Sequence, residues 1–202
     1  MKNKSINFIL ILLFLISCNK TGAIDESYID SHIVFSSRRW WNYDIFISDI
    51  FNSHLTQLTK NKWIDFNPSI SKDGSKLAFI SNRDGNRDIY ITDLTWMDGY
   101  TQWQGQSLTN ITLSSENEWT PKFSPVEDKI VFTTYFPDND NYDVFIMNFD
   151  GSNKINLTNT KFYEKYPQFS PDGSFIIYQA WQKGKMEIFF LNILEKNKIN
   201  LT

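Results

Sequence analysis

The sequence predicts an all-β chain: a β-propeller of four-stranded antiparallel blades, with about four blades present, so a small or incomplete propeller. Three observations predict it. A strand reading acid-apolar-aromatic-apolar, or close to it, opens at Asp44, Asp88, Asp143 and Glu187, with spacings of 44, 55 and 44 residues. A closing dipeptide follows each one, as Leu58-Thr59, Ile111-Thr112, Leu157-Thr158 and Leu201-Thr202. Ten residues after the Leu or Ile of the first three comes a proline (Pro68, Pro121, Pro167), with a serine three residues further on (Ser71, Ser124, Ser170). Self-similarity at such a period marks stacked repeats, and four short strands per repeat mark a propeller.

Each unit then reads as four strands. In the second they fall around Pro68–Ser71, Lys76–Ser81, Asp88–Leu94 and Gln106–Thr112. β-branched and aromatic runs bounded by Asp, Asn and Gly support them. Asp73-Gly74 and Asp172-Gly173 supply hairpin turns, which the third unit replaces with Pro125-Val126-Glu127-Asp128. The long spacing has two sources: nine extra residues between Leu94 and Ile111, and two in the hairpin of the third unit. Blades are expected at 32–59, 66–112, 119–158 and 165–202. The first lacks a Pro-x-x-Ser strand, and Tyr28–His32 is the candidate replacement. Closed propellers have four to eight blades. An open stack exposes an apolar face and needs a cap. The ring is therefore complete at small size, part of a longer propeller, or completed by self-association.

The first residues read as a targeting segment. Lys2 and Lys4 precede an apolar run, Ile6–Ile16, broken only by Asn7. The run suits a signal h-region and is short for a permanent span. Leu15-Ile16-Ser17-Cys18 resembles the bacterial lipobox. That resemblance implies a signal peptide at 1–17, lipid attachment at Cys18 and a polar tether at 18–31. Asn19, where an aspartate would favour inner-membrane retention, tilts the expected location to the outer membrane. Cys18 is the one cysteine, which excludes a disulfide framework or a thiolate metal site within the chain. The chain carries 20 basic and 23 acidic residues, a net charge of −3. Without Lys2 and Lys4 it is more acidic still. With no basic patch, nucleic acid is excluded as a partner.

The stretch Asn67-Pro68-Ser69-Ile70-Ser71-Lys72-Asp73-Gly74-Ser75-Lys76-Leu77-Ala78-Phe79-Ile80-Ser81-Asn82-Arg83-Asp84-Gly85 is similar to the TolB-type propeller repeat, as is Tyr166-Pro167-Gln168-Phe169-Ser170-Pro171-Asp172-Gly173. The resemblance covers roughly residues 33 to 202. It implies a propeller, six blades in the family's own form, and a place in the cell envelope. The repeat also occurs in prolyl-oligopeptidase-type peptidases and in lipoproteins.

No catalytic constellation is visible. A GxSxG nucleophile elbow is lacking. His32 and His54 are the two histidines, at a strand start and in a turn. No cofactor or metal is expected. Repeat symmetry supplies the candidate site instead. Three residues before each blade proline stands a carboxylate, Asp65, Glu118 or Glu164, with Trp63 and Trp119 nearby. Two readings fit. The acids form part of a ring at the propeller mouth that binds a ligand by focusing field, or they satisfy backbone groups at blade junctions. The acids opening the strands, Asp44, Asp88, Asp143 and Glu187, read as turn or ladder residues. The run Asp138–Asp143 has alternating oxygen ligands but lacks the glycine and distal glutamate of a calcium loop. The insertion carries Trp96, Met97, Tyr100 and Trp103, which either anchor a partner or cover a blade edge. The expected function is a non-enzymatic binding scaffold of the cell envelope, tied to the membrane by its lipid, with a protein, peptide or glycan as partner. The alternatives are the propeller portion of a hydrolase or lyase, or a structural module completed by a partner chain.

Overall fold

A computed structural model of the chain describes residues 32–38, 41–49, 55–97, 100–102 and 107–202. Cys18, the signal segment, the tether, His54 and Trp103 lie outside these.

Four antiparallel sheets follow one another along the chain. Blade one is three-stranded: β1 (His32–Ser37), β2 (Asp44–Asp49) and β3 (Leu55–Gln57). Blade two holds β4 (Asp65–Ile70), β5 (Lys76–Ser81), β6 (Asp88–Asp93) and, after a separate hairpin of β7 (Thr95–Met97) and β8 (Tyr100–Gln102), β9 (Thr109–Asn110). Blade three holds β10 (Asn117–Phe123), β11 (Lys129–Phe136), β12 (Asn141–Asn148) and β13 (Ile155–Asn156). Blade four holds β14 (Tyr163–Phe169), β15 (Phe175–Gln182), β16 (Lys185–Asn192) and β17 (Lys198–Asn200). Among the described residues, blade one has no counterpart of the strand that carries proline in the others. Of its expected source, Tyr28–His32, only His32 is described, and it opens β1.

The repeated residues explain this architecture. Each strand-opening acid binds the closing strand of its own blade. Gln57 donates to Asp44 at 3.1 Å, Asn110 to Asp88 at 3.0 Å, Asn156 to Asp143 at 2.7 Å and Asn200 to Glu187 at 2.7 Å. The Thr of each closing dipeptide takes the amide hydrogen of the residue after that acid. Ile45 donates to Thr59, Ile89 to Thr112, Val144 to Thr158 and Ile188 to Thr202, at 2.9 to 3.1 Å. These acids therefore have the ladder role read from their register. The Ser-x-Asp turns lock likewise: Ser71 donates to Asp73 at 2.6 Å and Ser170 to Asp172 at 2.5 Å. In blade three, Ser124 instead accepts the amides of Val126 and Glu127 at 3.3 and 3.2 Å.

Blades stack through apolar layers. Ile45, Ile47, Leu77 and Phe79 form the layer between blades one and two. Ile80, Ile89, Ile130 and Phe132 sit between two and three. Val131, Val144, Ile176 and Tyr178 sit between three and four. Each fully buried side chain of this size contributes roughly 1.5–3 kcal/mol. An inner blade is covered on both faces. That is why β5 and β11 read as almost unbroken apolar runs without strand alternation.

Candidate functional site

One end of the stack gathers the between-blade connections and the hairpins joining second to third strands. An asparagine two residues before each of Asp44, Asp88 and Asp143 fixes these connections. Asn42 donates to the carbonyls of Asn61, at 2.8 Å, and Trp63. Asn86 donates to those of Ser114 and Glu116 at 2.9 and 2.6 Å, and Asn141 to that of Thr160 at 2.6 Å.

The three blade acids lie beneath these loops, all buried. Asp65 accepts from Asn61 at 2.7 Å and pairs with Arg83 at 3.2 Å, while its amide donates to Tyr43 at 2.8 Å. Glu118 accepts from Ser114 at 2.7 Å and lies 3.5 Å from the Lys154 ammonium, and its amide donates to Arg87 at 2.7 Å. Glu164 accepts from Thr160 at 2.7 Å. The second carboxyl oxygens of Glu118 and Glu164 are buried without a partner. Burial raises the Glu118 pKa to about 7. It raises that of Glu164 too, with the Asp143 carboxylate adding to the effect. A carboxyl oxygen with no acceptor role to fill is less costly when protonated. The acids thus form the floor of this face, not its surface.

Above the floor runs a band of aromatic rings and cations. The Arg87 guanidinium lies 4.0 Å from the Trp119 ring centroid and 5.7 Å from that of Phe66, and Phe66 meets Trp119 edge-on at 5.6 Å. The Lys165 ammonium lies 3.6 Å from the Tyr142 centroid, and Tyr142 packs against Tyr135 and Tyr163 at 4.6 and 6.0 Å. Tyr135 and Tyr163 both donate to Asp140, at 3.1 and 2.9 Å. Asp140, the centre of the calcium-like run, is therefore engaged by phenols. Among the described residues no group of three or more His, Cys, Asp or Glu is placed to hold a metal ion. Trp63 lies under Lys62 and Arg83, at 5.3 and 5.6 Å. The Trp119 indole N–H is buried without a partner. Trp41, in the blade-one hairpin at the same end, is 90% exposed, and Tyr166 on β14 is 58% exposed. A shallow cleft of about 410 Å³, lined by Asn139, Asn141, Asn159, Thr160 and Lys161, opens where blades three and four meet.

Of the residues at this end, the sequence singled out Trp63, Trp119 and the acids and passed over Arg87, Tyr142 and Lys165. Their signal was present. Arg87 and Tyr142 each immediately precede a strand acid, and Trp119 and Lys165 each immediately follow a blade acid. Equal register in a propeller means equal position around its axis.

Residues 27–202 match the family model described as TolB beta propeller domain. The chain belongs to the TolB β-propeller family. Relatives bear TolB names. A protein TolB homolog of Chlorobium luteolum is 31% identical over 168 residues, which are 83% of this chain and 36% of that protein. The Tol-Pal system protein TolB of Gluconobacter oxydans is 29% identical over 131 residues, 63% of this chain and 27% of that one. Among solved structures, TolB from Acinetobacter baumannii superposes with a TM-score of 0.69 at 22% identity, covering 84% of this chain and 40% of that one. The chain thus spans about a third of the length of these curated TolB relatives.

Proposed function

We propose that this TolB-family propeller is a non-enzymatic binding scaffold of the bacterial cell envelope. It holds a protein, peptide or glycan on the end where the blade connections gather. The Tol-Pal name of its relatives supports an envelope setting. The observation that carries the site is the Arg87–Trp119 and Lys165–Tyr142 band. It sets two cations against aromatic rings at a face where the core does not need them. Rings of this kind give contact area at low entropic cost, and stacked cations give direction. Asp65, Glu118 and Glu164 hold the loops from below, while Trp63 and Trp119 line the site. Lipidation at Cys18 keeps the face on the periplasmic side, anchored to the outer membrane.

The test is site-specific photo-crosslinking in cells. A photoreactive residue at Tyr166 is expected to give a discrete adduct. The same group at Leu194, 89% exposed at the other end of the stack, is expected to give none. Replacing Arg87 and Lys165 by Ala should remove the Tyr166 adduct, and an adduct that persists sinks the site. Separately, Cys18→Ser should move the protein out of the membrane fraction. If it stays there, the anchor assignment is wrong.

A further inference from the structure

Among the described residues, positive side chains stand on aromatic rings in two ways. Arg83 lies 4.5 and 5.6 Å from the Tyr90 and Phe79 ring centroids and also pairs with the buried Asp65 carboxylate at 3.2 Å. Lys154 lies 5.3 and 5.6 Å from the Phe145 and Phe132 centroids and stands 3.5 Å from the Glu118 carboxylate. Arg87 and Lys165 are set on rings at least as closely, yet among the described residues neither joins an ion pair or donates a side-chain hydrogen bond. Both are half-buried, and burial lowers the pKa of each. A cation taken partly out of water and given no anion is the costly arrangement. The Trp119 indole N–H, buried without a partner beside Arg87, is a third donor with no acceptor.

We infer that Arg87 and Lys165 take the carboxylates of an acidic peptide segment of a partner protein. The inference rests on the reading of this end as the binding face and names what binds there. Arg87 leads into β6 of blade two and Lys165 lies on β14 of blade four, while Trp119 and Tyr142 belong to blade three between them. Both charges act on Tyr142: the Lys165 ammonium is 3.6 Å from its ring centroid, and the Arg87 charge reaches its phenol. Two cations from different blades call for two separate anionic groups, and the rings between them call for backbone or apolar contact. A peptide with carboxylates on different side chains supplies both. The guanidinium fork also matches a carboxylate through two parallel hydrogen bonds.

The local acids do not fill this role. Asp65 is matched by Arg83, Lys154 stands beside Glu118, and burial favours the protonated form of Glu164. Asp140 accepts from Tyr135 and Tyr163 and acts on Lys165 only from beyond ion-pair distance. Asp84 accepts from Tyr90 and Asn110. The two cations therefore keep their charge for a ligand, and complementary charge speeds encounter and fixes register.

Fluorescence anisotropy on the full chain tests this with a labelled peptide of alternating Glu and Ser, titrated to about 1 mM. The Glu peptide should bind saturably, and the same peptide with Gln for Glu should bind at least about tenfold more weakly. Arg87→Gln and Lys165→Gln should each weaken binding by about tenfold, with unchanged cooperative melts. Lys76→Gln, whose lysine pairs with Asp93 at the other end of the stack, should bind as the wild type does. Absent binding, or equal binding of the Gln peptide, overturns the proposal on the wild type alone, so a variant that does not fold leaves it decidable. Unchanged affinity in both band variants overturns it too. So does tighter binding of alginate, a carboxylated polysaccharide, which would make the ligand an acidic glycan. A Glu peptide that does not bind while the Tyr166 photo-adduct still forms in cells overturns the ligand class and leaves the face in place. Loss of both removes the face as well.

Discussion

Thr158 accepts the Val144 amide hydrogen at 2.9 Å, deep between blades three and four, where Val144 is wholly buried and Thr158 is nearly so. Thr202 makes the same bond to Ile188 at 3.1 Å on the exposed side of blade four. The chemistry is identical and the surroundings are not. Removing the Thr158 hydroxyl strands a buried donor, which costs about 1–3 kcal/mol. Removing that of Thr202 lets water take its place. Thr158→Ala is therefore expected to destabilise by about 1–3 kcal/mol and Thr202→Ala by under about 0.5 kcal/mol, both by urea unfolding. Equal losses would show that the closing threonines do not act through burial.

Glu118 and Glu164 give the fold an unusual pH dependence. In the unfolded chain both ionise near 4.5, while in the folded chain burial keeps the proton on to higher pH, about 7 for Glu118. Between those limits the unfolded chain has released protons that the folded chain retains, so stability falls as pH rises. Below about pH 4.5 both states are protonated and nothing is lost. The double variant Glu118→Gln/Glu164→Gln keeps the shape and removes the titration. It should match wild type near pH 4.5 and exceed it by about 3 kcal/mol for each of the two carboxyls at pH 8, measured as the difference between the two proteins' urea midpoints across pH. A constant difference across pH would mean that neither carboxyl titrates as its burial requires.

Much of this was legible because repeat register carries three-dimensional meaning. The strand acids, the closing Leu/Ile-Thr and the Ser-x-Asp turns each recur at fixed offsets, and each makes the same bond in every blade that has it. The Asp65, Glu118 and Glu164 series was equally visible. Its depth was not, because burial depends on how the Asn42, Asn86 and Asn141 loops fold over it. Arg87 and Lys165 were hidden for another reason. They occupy repeat positions without repeating residue type: Tyr43, Arg87, Tyr142 and Met186 share one register. A site built from differences between repeats is invisible to a search for sameness. The exposure of blade four is likewise set by what packs against it, not by its own apolar residues.

Gly151 ties blade three to blade two. Its φ is +84°, and a Cβ there would fall inside the contact radius of the Ile111 carbonyl oxygen. Ile111 is nearly buried and its amide donates to Ile89 at 2.9 Å, so that carbonyl has little room to yield. Gly184 has a similar φ, +80°, with nothing near its Cβ position. Gly184→Ala isolates the backbone cost, about 1 kcal/mol. Gly151→Ala adds displacement of the packed Ile111 backbone, for about 3 kcal/mol in all. Thermal unfolding of both separates the contributions, and similar losses would mean the blade-two contact is soft.

The inner strands of blades two, three and four each break register at the same place, between Phe66 and Ser69, Trp119 and Lys122, and Lys165 and Gln168. In each, the residue before proline is left-handed: Asn67 at φ +52°, Thr120 at +50° and Tyr166 at +57°. A proline disfavours helical angles in the residue before it, and a β-branched side chain is a poor occupant of positive φ. Asn tolerates it through its short polar side chain. Blade two therefore carries the relaxed solution and blade three the strained one. Thr120 does hold one compensation, a contact with the Thr133 hydroxyl at 3.4 Å, long for a hydroxyl pair. Thr120→Asn should then stabilise by about 0.5–1 kcal/mol, and the reverse exchange Asn67→Thr should destabilise by about 1 kcal/mol. Urea unfolding of the two single variants reads both signs. If both destabilise, the Thr120–Thr133 contact outweighs the backbone, and the bulge in blade three is held by its side chains.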